Sequence, residues 1–374
     1  MKKIYMASPS FSRIDKAKIH KELDKILDYK LSMGPNVKEF ENAFAKRLKI
    51  NHAIAMNSCT STLEAALNYY NIKGKEVIIP TQTFIATGMA VYHAGGIPRF
   101  AEIEKKTMSI DYEDVKKRIN KNTVGVIIVH MAGTLSDDIF KLKKLCRENN
   151  LFLIEDAAHT PGAKIKSREA GTIGDIGCFS FYPSKVLTAG EGGMLITNSN
   201  KIAKFTRSYQ NRGANMSSKK EIYINPSRNV RMTEFAALLG KTQLEHLDLF
   251  LKNRRKIASR YKNKLSNNKK FDIVLPERLE QSACWKIPLI LSKKINRDRV
   301  ISKLHERNIF ADKAYDPPLH LQPVMRKIFG TFKGQLPKSE KILCSSICLP
   351  SHQDMTNEDA DYVCKNFLEI LETI

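Results

Sequence analysis

The fold is decided by a short apolar run that ends in two acidic residues, LFLIEDAAH, at residues 151–159. Its first four residues are all apolar, as expected for a strand that is covered on both faces of a parallel sheet. A second run of this kind lies at Val124–Val129, and the stretch Ile139–Asn149 between them has the 3.6-residue period of an amphipathic helix. This alternation predicts an α/β protein with a mainly parallel sheet and helices on both faces.

The same alternation continues on both sides of this unit. Further strands are predicted at Ala53–Met56, Val77–Ile79, Ile176–Phe181 and Met194–Thr197, and a helix at Thr60–Tyr70.

The pattern changes after about Asn225. Helical periodicity covers Thr233–Leu244 and continues to Leu265, and mixed elements then follow, with a strand at Ile287–Leu291 and helices at Arg297–Arg307 and Asp359–Leu371. We therefore predict a large domain over residues 1–248, including an N-terminal arm, and a smaller α+β domain over residues 249–374.

The composition excludes several classes of protein. With 62 Lys and Arg against 39 Asp and Glu the net charge is +23, which suits either a nucleic-acid partner or a lysine-rich solvated surface. Basic and aromatic residues do not interleave, so we expect no nucleic-acid partner and interpret the positive field as an attraction for anionic substrates. No apolar run is long enough for a membrane span or a signal peptide, so we expect a cytoplasmic protein without a membrane partner. The seven cysteines and nine histidines have no metal-ligand spacing, and no metal is expected.

Polar residues follow the predicted strands where ligands bind in open parallel sheets. Asn57–Thr62 supplies small hydroxyl residues at a helix start, which favours a phosphate site, although an ordinary helix cap has the same composition. Asp156 ends the next quoted strand beside small alanines, where its carboxylate can hold a proton on a pyridine nitrogen. His159 can reach the same cavity. The alternative for Asp156 is that it caps a following helix.

A lysine stands between an aromatic strand end and a glycine-rich turn, in CFSFYPSK at residues 178–185 followed by GEGG at 190–193. Partial burial would lower the pKa of Lys185 and make its amine a nucleophile. Ser180 could add a hydroxyl group to the phosphate site. The alternative is that Lys185 is one surface lysine among many.

Taken in order, these segments resemble the DegT-type sugar aminotransferases of fold type I. The resemblance runs from about Met33 to Pro350 and rests on seven segments: residues 34–41, 57–67, 83–87, 155–159, 179–193, 229–234 and 315–320. It implies the cofactor pyridoxal 5′-phosphate (PLP), held as a Schiff base on Lys185, which also acts as general base and acid. The implied partners of the cofactor are Asp156 at the pyridinium nitrogen, Phe84 stacked on the ring, His159 at the ring hydroxyl, Thr60, Ser61 and Ser180 at the phosphate, and Asn229 reaching the phosphate from a second subunit.

The resemblance implies an aminotransferase that moves an amino group from L-glutamate to a keto group of a nucleotide-linked sugar for surface glycan biosynthesis. It also implies a homodimer with shared active sites. Tyr315 and His320 resemble residues near the sugar pocket, and Arg212 stands where the family often has a substrate-side histidine. Three alternatives stay open: a non-nucleotide keto sugar or cyclitol as acceptor, a regulatory or nucleic-acid-binding protein with this fold, and a sugar dehydratase. The dehydratases replace the lysine with histidine, so Lys185 favours transamination.

Overall fold

The computed structural model describes residues 2–266, 268–313 and 315–374. Its strands are β1 His52–Met56, β2 Glu76–Pro80, β3 Ile97–Ala101, β4 Thr123–Val129, β5 Phe152–Asp156, β6 Lys164–Ile165, β7 Arg168–Glu169, β8 Ile176–Ser180, β9 Gly193–Thr197, β10 Phe271–Ile273, β11 Ile287–Leu291 and β12 Ser346–Leu349. Its α-helices are α1 Arg13–Asp28, α2 Pro35–Leu48, α3 Cys59–Tyr69, α4 Ile85–His93, α5 Tyr112–Arg118, α6 Ile139–Glu148, α7 Asn200–Gln210, α8 Glu234–Glu245, α9 Leu247–Leu265, α10 Arg297–Glu306, α11 Pro323–Phe329, α12 Pro337–Cys344 and α13 Asn357–Glu372.

A large mixed sheet forms the centre of the molecule. In the described part of the chain it has seven strands in the order β1-β9-β8-β5-β4-β2-β3, and β9 alone runs antiparallel to its neighbours. The mainly parallel α/β sheet predicted from the sequence is confirmed. The carboxyl ends of β1, β4, β5 and β8 therefore lie along one edge, together with the amino end of β9.

Both faces of the sheet are covered by apolar side chains, which explains the uninterrupted apolar runs. On one face the rings of Phe40 and Phe44 in α2 pack against β8 and the residue after it: the Phe44 ring centroid lies 5.0 Å from that of Phe179, and the Phe40 centroid lies 5.1 Å from that of Phe181. On the other face Leu63 and Leu67 of α3 are buried against the sheet.

A second, three-stranded sheet, β10-β11-β12, packs with α9, α10 and α13 around its own apolar cluster. The boundary at residue 248 falls in the first turn of α9 and stays a prediction. The N-terminal arm, assigned to the large domain from the sequence, contacts the smaller sheet's cluster, because Ile4 is buried there and pairs with Ile309. Among the described helices, none is long and apolar enough to cross a membrane.

Candidate active site

The carboxyl edge of the large sheet opens into a cavity of about 480 Å³. Most of the residues that line it come from the large sheet and the segments after its strands. Two others, Trp285 and Lys286, come from the residues just before β11 of the smaller sheet. The site residues predicted from the sequence that line this cavity are Thr60, Phe84, Asp156, His159, Ser180, Lys185 and Tyr315. All of them except Tyr315 meet here because they end or follow strands of the large sheet that finish at the same edge.

Lys185 lies in a turn after β8, where its backbone N–H donates to the Tyr182 carbonyl oxygen at 2.9 Å. Its Nζ stands 4.2 Å from the centroid of the Trp285 ring. Burial of the amine lowers the pKa of Lys185 to about 8; the charge of Lys286 also lowers it, while that of Asp156 opposes the shift. At this pKa a useful fraction of the amine is neutral near pH 7, as a nucleophile requires.

Asp156 is buried at the end of β5 and its carboxylate is held at two points. The Thr87 hydroxyl donates to Oδ2 at 2.9 Å, and the Ala158 backbone N–H donates to Oδ1 at 3.2 Å. Burial raises the pKa of Asp156, and these two hydrogen bonds oppose that rise. No helix directly follows β5 in the described chain, so the alternative that Asp156 caps one is wrong.

His159 is buried in the wall of the cavity between two aromatic side chains. Its ring is stacked on the Trp285 indole, with centroids 3.9 Å apart and planes 18° apart. His159 also contacts Tyr315, whose hydroxyl lies 3.3 Å from His159 Nε2. Burial, followed by the charge of Lys185, lowers the pKa of His159 well below its usual value, so the ring is neutral at physiological pH.

A cradle for an anion lies at the start of α3. The side chain of Ser58 caps this helix by accepting from the Ser61 N–H at 3.1 Å, and Thr60 faces the cavity. Strand β9 passes so close that a Cβ on Gly193 would lie 2.4 Å from the Ser58 carbonyl carbon. Only glycine permits this approach, because backbone atoms on the helix side cannot move aside.

Ser61 is turned away from this cradle, and its contact with the phosphate stays a prediction. Its hydroxyl donates to Asn57 Oδ1 at 2.7 Å, and it does not line the cavity. The helix cap explains this, because the geometry that lets Ser58 bind the Ser61 N–H directs the Ser61 side chain toward Asn57.

Three other predicted residues lie outside the cavity. His320 has no exposed surface, and its ring nitrogens contact Thr81 Oγ1 at 2.5 Å and Glu340 Oε1 at 3.1 Å. His320 does not line the cavity, because both of its ring nitrogens are engaged behind the cavity wall, and its contact with substrate stays a prediction. Arg212 pairs with Glu221 at 3.5 Å on the surface.

Asn229 also lies apart from the cavity of its own chain. It pairs with Asn211 through the backbone, in a loop whose residues 214 and 223 form a further bridge. The exposed apolar side chains of this loop are Met216, Ile222, Tyr223 and Ile224.

Trp285 and Lys286 were missed by the sequence analysis. The indole Nε1 of Trp285 donates to the Ser184 carbonyl oxygen at 2.6 Å, which ties the smaller sheet to the turn that carries Lys185. Lys286 forms an ion pair with Asp312. The available signal was that the sequence has one tryptophan, placed beside a lysine at the start of a predicted strand.

The fold and this cavity define a fold type I enzyme, in which a lysine and a buried aspartate face a cradle at a helix start. Comparison with known proteins agrees: the chain belongs to the DegT/DnrJ/EryC1/StrS aminotransferase family, whose model matches residues 13–368. It is 32% identical over 352 residues to the GDP-perosamine synthase of Vibrio cholerae, covering 91% of this chain and 93% of that protein. It is 30% identical over 378 residues to the spore coat polysaccharide biosynthesis protein SpsC of Bacillus subtilis (strain 168), covering 97% and 96%.

Among solved structures, the S. venezuelae protein DesV in complex with a ketimine intermediate superposes with a TM-score of 0.93. The two sequences are 26% identical and the match covers all of both chains. The protein is thus an aminotransferase, and its cofactor is PLP.

The residues present fit this cofactor. Thr60 at the start of α3 and Ser180 at the end of β8 both line the cavity, and a helix start suits a phosphate group. Phe84 presents an aromatic ring that is 57% exposed at the mouth of the cavity, which suits stacking on a flat heterocycle. Asp156 and Lys185 lie deeper in the same cavity.

Proposed function

We propose that this enzyme transfers an amino group from L-glutamate to the keto group of a nucleotide-linked sugar, in the biosynthesis of a surface glycan. One observation carries the proposal: a lysine whose pKa is lowered to about 8 shares a cavity with a buried carboxylate. The names of the V. cholerae and B. subtilis relatives support a nucleotide sugar as acceptor and a polysaccharide as destination. The proposal places the enzyme in the cytoplasm.

PLP supplies an electron-withdrawing ring and an aldehyde carbon that carries the amino group between the two substrates. Lys185 would hold that carbon through Nζ. Its amine, when free and neutral, would take the proton from the donor's α-carbon as a general base and would release it again as a general acid. The second half of the reaction runs these proton movements in reverse with the keto sugar.

The carboxylate of Asp156 would hold a proton on the ring nitrogen of the cofactor, which would stabilise negative charge developing near the α-carbon. The hydrogen bonds from Thr87 and Ala158 orient this carboxylate. Neutral His159 donates or accepts a single hydrogen bond at the ring hydroxyl without adding a second positive charge. Thr60 and Ser180 bind the phosphate together with the start of α3.

A homodimer with shared sites is part of the proposal. Asn229 and Arg212 would act in the partner's cavity, because the loop that holds them extends away from their own and exposes four apolar side chains. Mixing the inactive variants Asn229→Ala and Lys185→Ala should restore part of the activity, since one site in a mixed dimer has both intact residues. If the two variants exchange subunits and the mixture still regains no activity, the active sites are not shared between subunits.

The chemistry is tested with purified, PLP-loaded protein. Borohydride should fix the cofactor on the peptide that contains Lys185, and Lys185→Ala should abolish turnover. The acceptor is tested by screening nucleotide-linked keto sugars, non-nucleotide keto sugars and cyclitol ketones with L-glutamate while 2-oxoglutarate is measured. A protein that takes up no PLP, or that reacts with no keto sugar bearing a nucleotide, would contradict the proposal.

A further inference from the structure

The amino donor brings a carboxylate into the cavity, and a carboxylate that is removed from water needs a cationic partner. Two lysines are the only ordinarily cationic side chains among the described residues that line this cavity, Lys185 and Lys286. Lys185 is committed to the cofactor carbon and to proton transfer, so it cannot hold the carboxylate as well. Among the lining residues of the same chain, Lys286 is left for that task.

The two amines lie near each other on the same aromatic side chain. Lys185 Nζ is 4.2 Å and Lys286 Nζ is 4.6 Å from the centroid of the Trp285 ring, so the nitrogens are at most about 9 Å apart. A separation within this limit is compatible with an amino acid whose nitrogen occupies the place of Lys185 Nζ and whose carboxylate accepts a hydrogen bond from Lys286.

Lys286 keeps donors free for a ligand although it is already paired. Its ammonium has three N–H groups, and the ion pair with Asp312 uses one of them. Asp312 is fixed in turn, because its backbone pairs with Cys348 of β12. The ion pair with Asp312 therefore directs the ammonium, and two of its N–H groups stay available.

We infer that Lys286 binds a carboxylate of the amino donor and thereby selects amino acids over simple amines in the first half-reaction. This inference rests on the proposed function and assigns its donor subsite. Lys286 is a specificity residue here, since the proton transfers stay with Lys185.

The test compares Lys286→Gln and Lys286→Arg with the wild type, as PLP-loaded full-length enzymes. Lys293→Gln serves as matched control, because Lys293 is an exposed lysine just after the same strand. Conversion of the bound cofactor is followed by absorbance at increasing L-glutamate, L-glutamine or L-alanine concentration. Binding of α-methyl-L-glutamate, which has no α-proton to lose, is titrated in parallel as a readout independent of turnover.

For Lys286→Gln we expect the half-saturating L-glutamate concentration and the dissociation constant of α-methyl-L-glutamate to rise about 10- to 100-fold, as for loss of a hydrogen bond to a charged group. Lys286→Arg should recover most of this loss, and the KM of the keto sugar should stay within about threefold. If the binding of all three amino acids weakens equally, Lys286 contacts the α-carboxylate of the donor. If only the binding of L-glutamate weakens, Lys286 contacts the side-chain carboxylate.

The inference would be overturned if Lys286→Gln bound the donor as tightly as the wild type does. It would also be overturned if Lys293→Gln lost as much donor affinity as Lys286→Gln. This failure is distinct from failure of the proposed function, in which the wild type itself would convert its cofactor with no amino acid. Since Lys286 also influences the pKa of Lys185, each titration is repeated at a pH where the rate no longer changes.

Discussion

Capture of PLP by the cofactor-free enzyme should accelerate with pH and level off above about pH 8. The reactive form of Lys185 is the neutral amine, and burial lowers the pKa of this group from 10.5 to about 8. At pH 7 an amine with a pKa of about 8 is about 9% neutral, against about 0.03% for an ordinary lysine. The site therefore holds roughly 300 times more reactive amine than a surface lysine at that pH.

The assay mixes cofactor-free enzyme with PLP in a stopped-flow spectrometer between pH 6 and pH 10 and follows the absorbance of the bound cofactor. The rate, corrected for ionisation of free PLP, should rise tenfold per pH unit below the midpoint and reach a plateau above it. Lys185→Ala provides the baseline. In Lys286→Gln the midpoint should move to higher pH, because a positive charge that lowers the pKa of Lys185 has been removed.

A rate that keeps rising tenfold per unit beyond pH 9.5 would refute this reasoning, since it would mean that Lys185 titrates as a solvated amine. An unchanged midpoint in Lys286→Gln would refute only the contribution of the Lys286 charge to the lowered pKa of Lys185.

Three further substitutions test other contacts of the site. Thr87→Val removes a hydrogen bond of about 1.5–3 kcal/mol from the Asp156 carboxylate and should lower kcat about tenfold, with Thr87→Ser near wild type; an undiminished kcat in the valine variant would contradict this. Gly193→Ala puts a Cβ 2.4 Å from the Ser58 carbonyl carbon, so the PLP dissociation constant should rise at least about tenfold, and normal cofactor affinity would show that the cradle is misassigned. Glu155→Gln sets an amide NH₂ against backbone N–H donors and should lower the free energy of unfolding by about 3 kcal/mol, as measured by urea denaturation. An unchanged urea midpoint would show that this buried carboxylate is dispensable for stability.

The sequence predicted the large sheet well because its strands are apolar without interruption. Strand β3 was missed because Pro98 and Arg99 interrupt its apolar run. This strand lies at the edge of the sheet. Edge strands tolerate such residues, so burial patterns identify them poorly.

Site residues could be predicted where they follow strands whose ends meet, as with Asp156 and Lys185. The order of motifs does not reveal which way a side chain points, and this explains the outcome for Ser61 and His320. Trp285 lies a hundred positions after the lysine turn, in the part of the chain where the sequence pattern is mixed, and only the packing of the two sheets brings it into the cavity.

The hydrogen bond between Trp285 and Ser184 also bears on the order in which the protein matures. A chain leaving the ribosome exposes Lys185 well before the indole that covers it has been synthesised. Until the later segment folds, the amine stays hydrated, and its reactivity is that of any other lysine. Efficient uptake of PLP is thus delayed until both halves of the molecule have docked, and the coloured holoenzyme reports a chain that has finished folding.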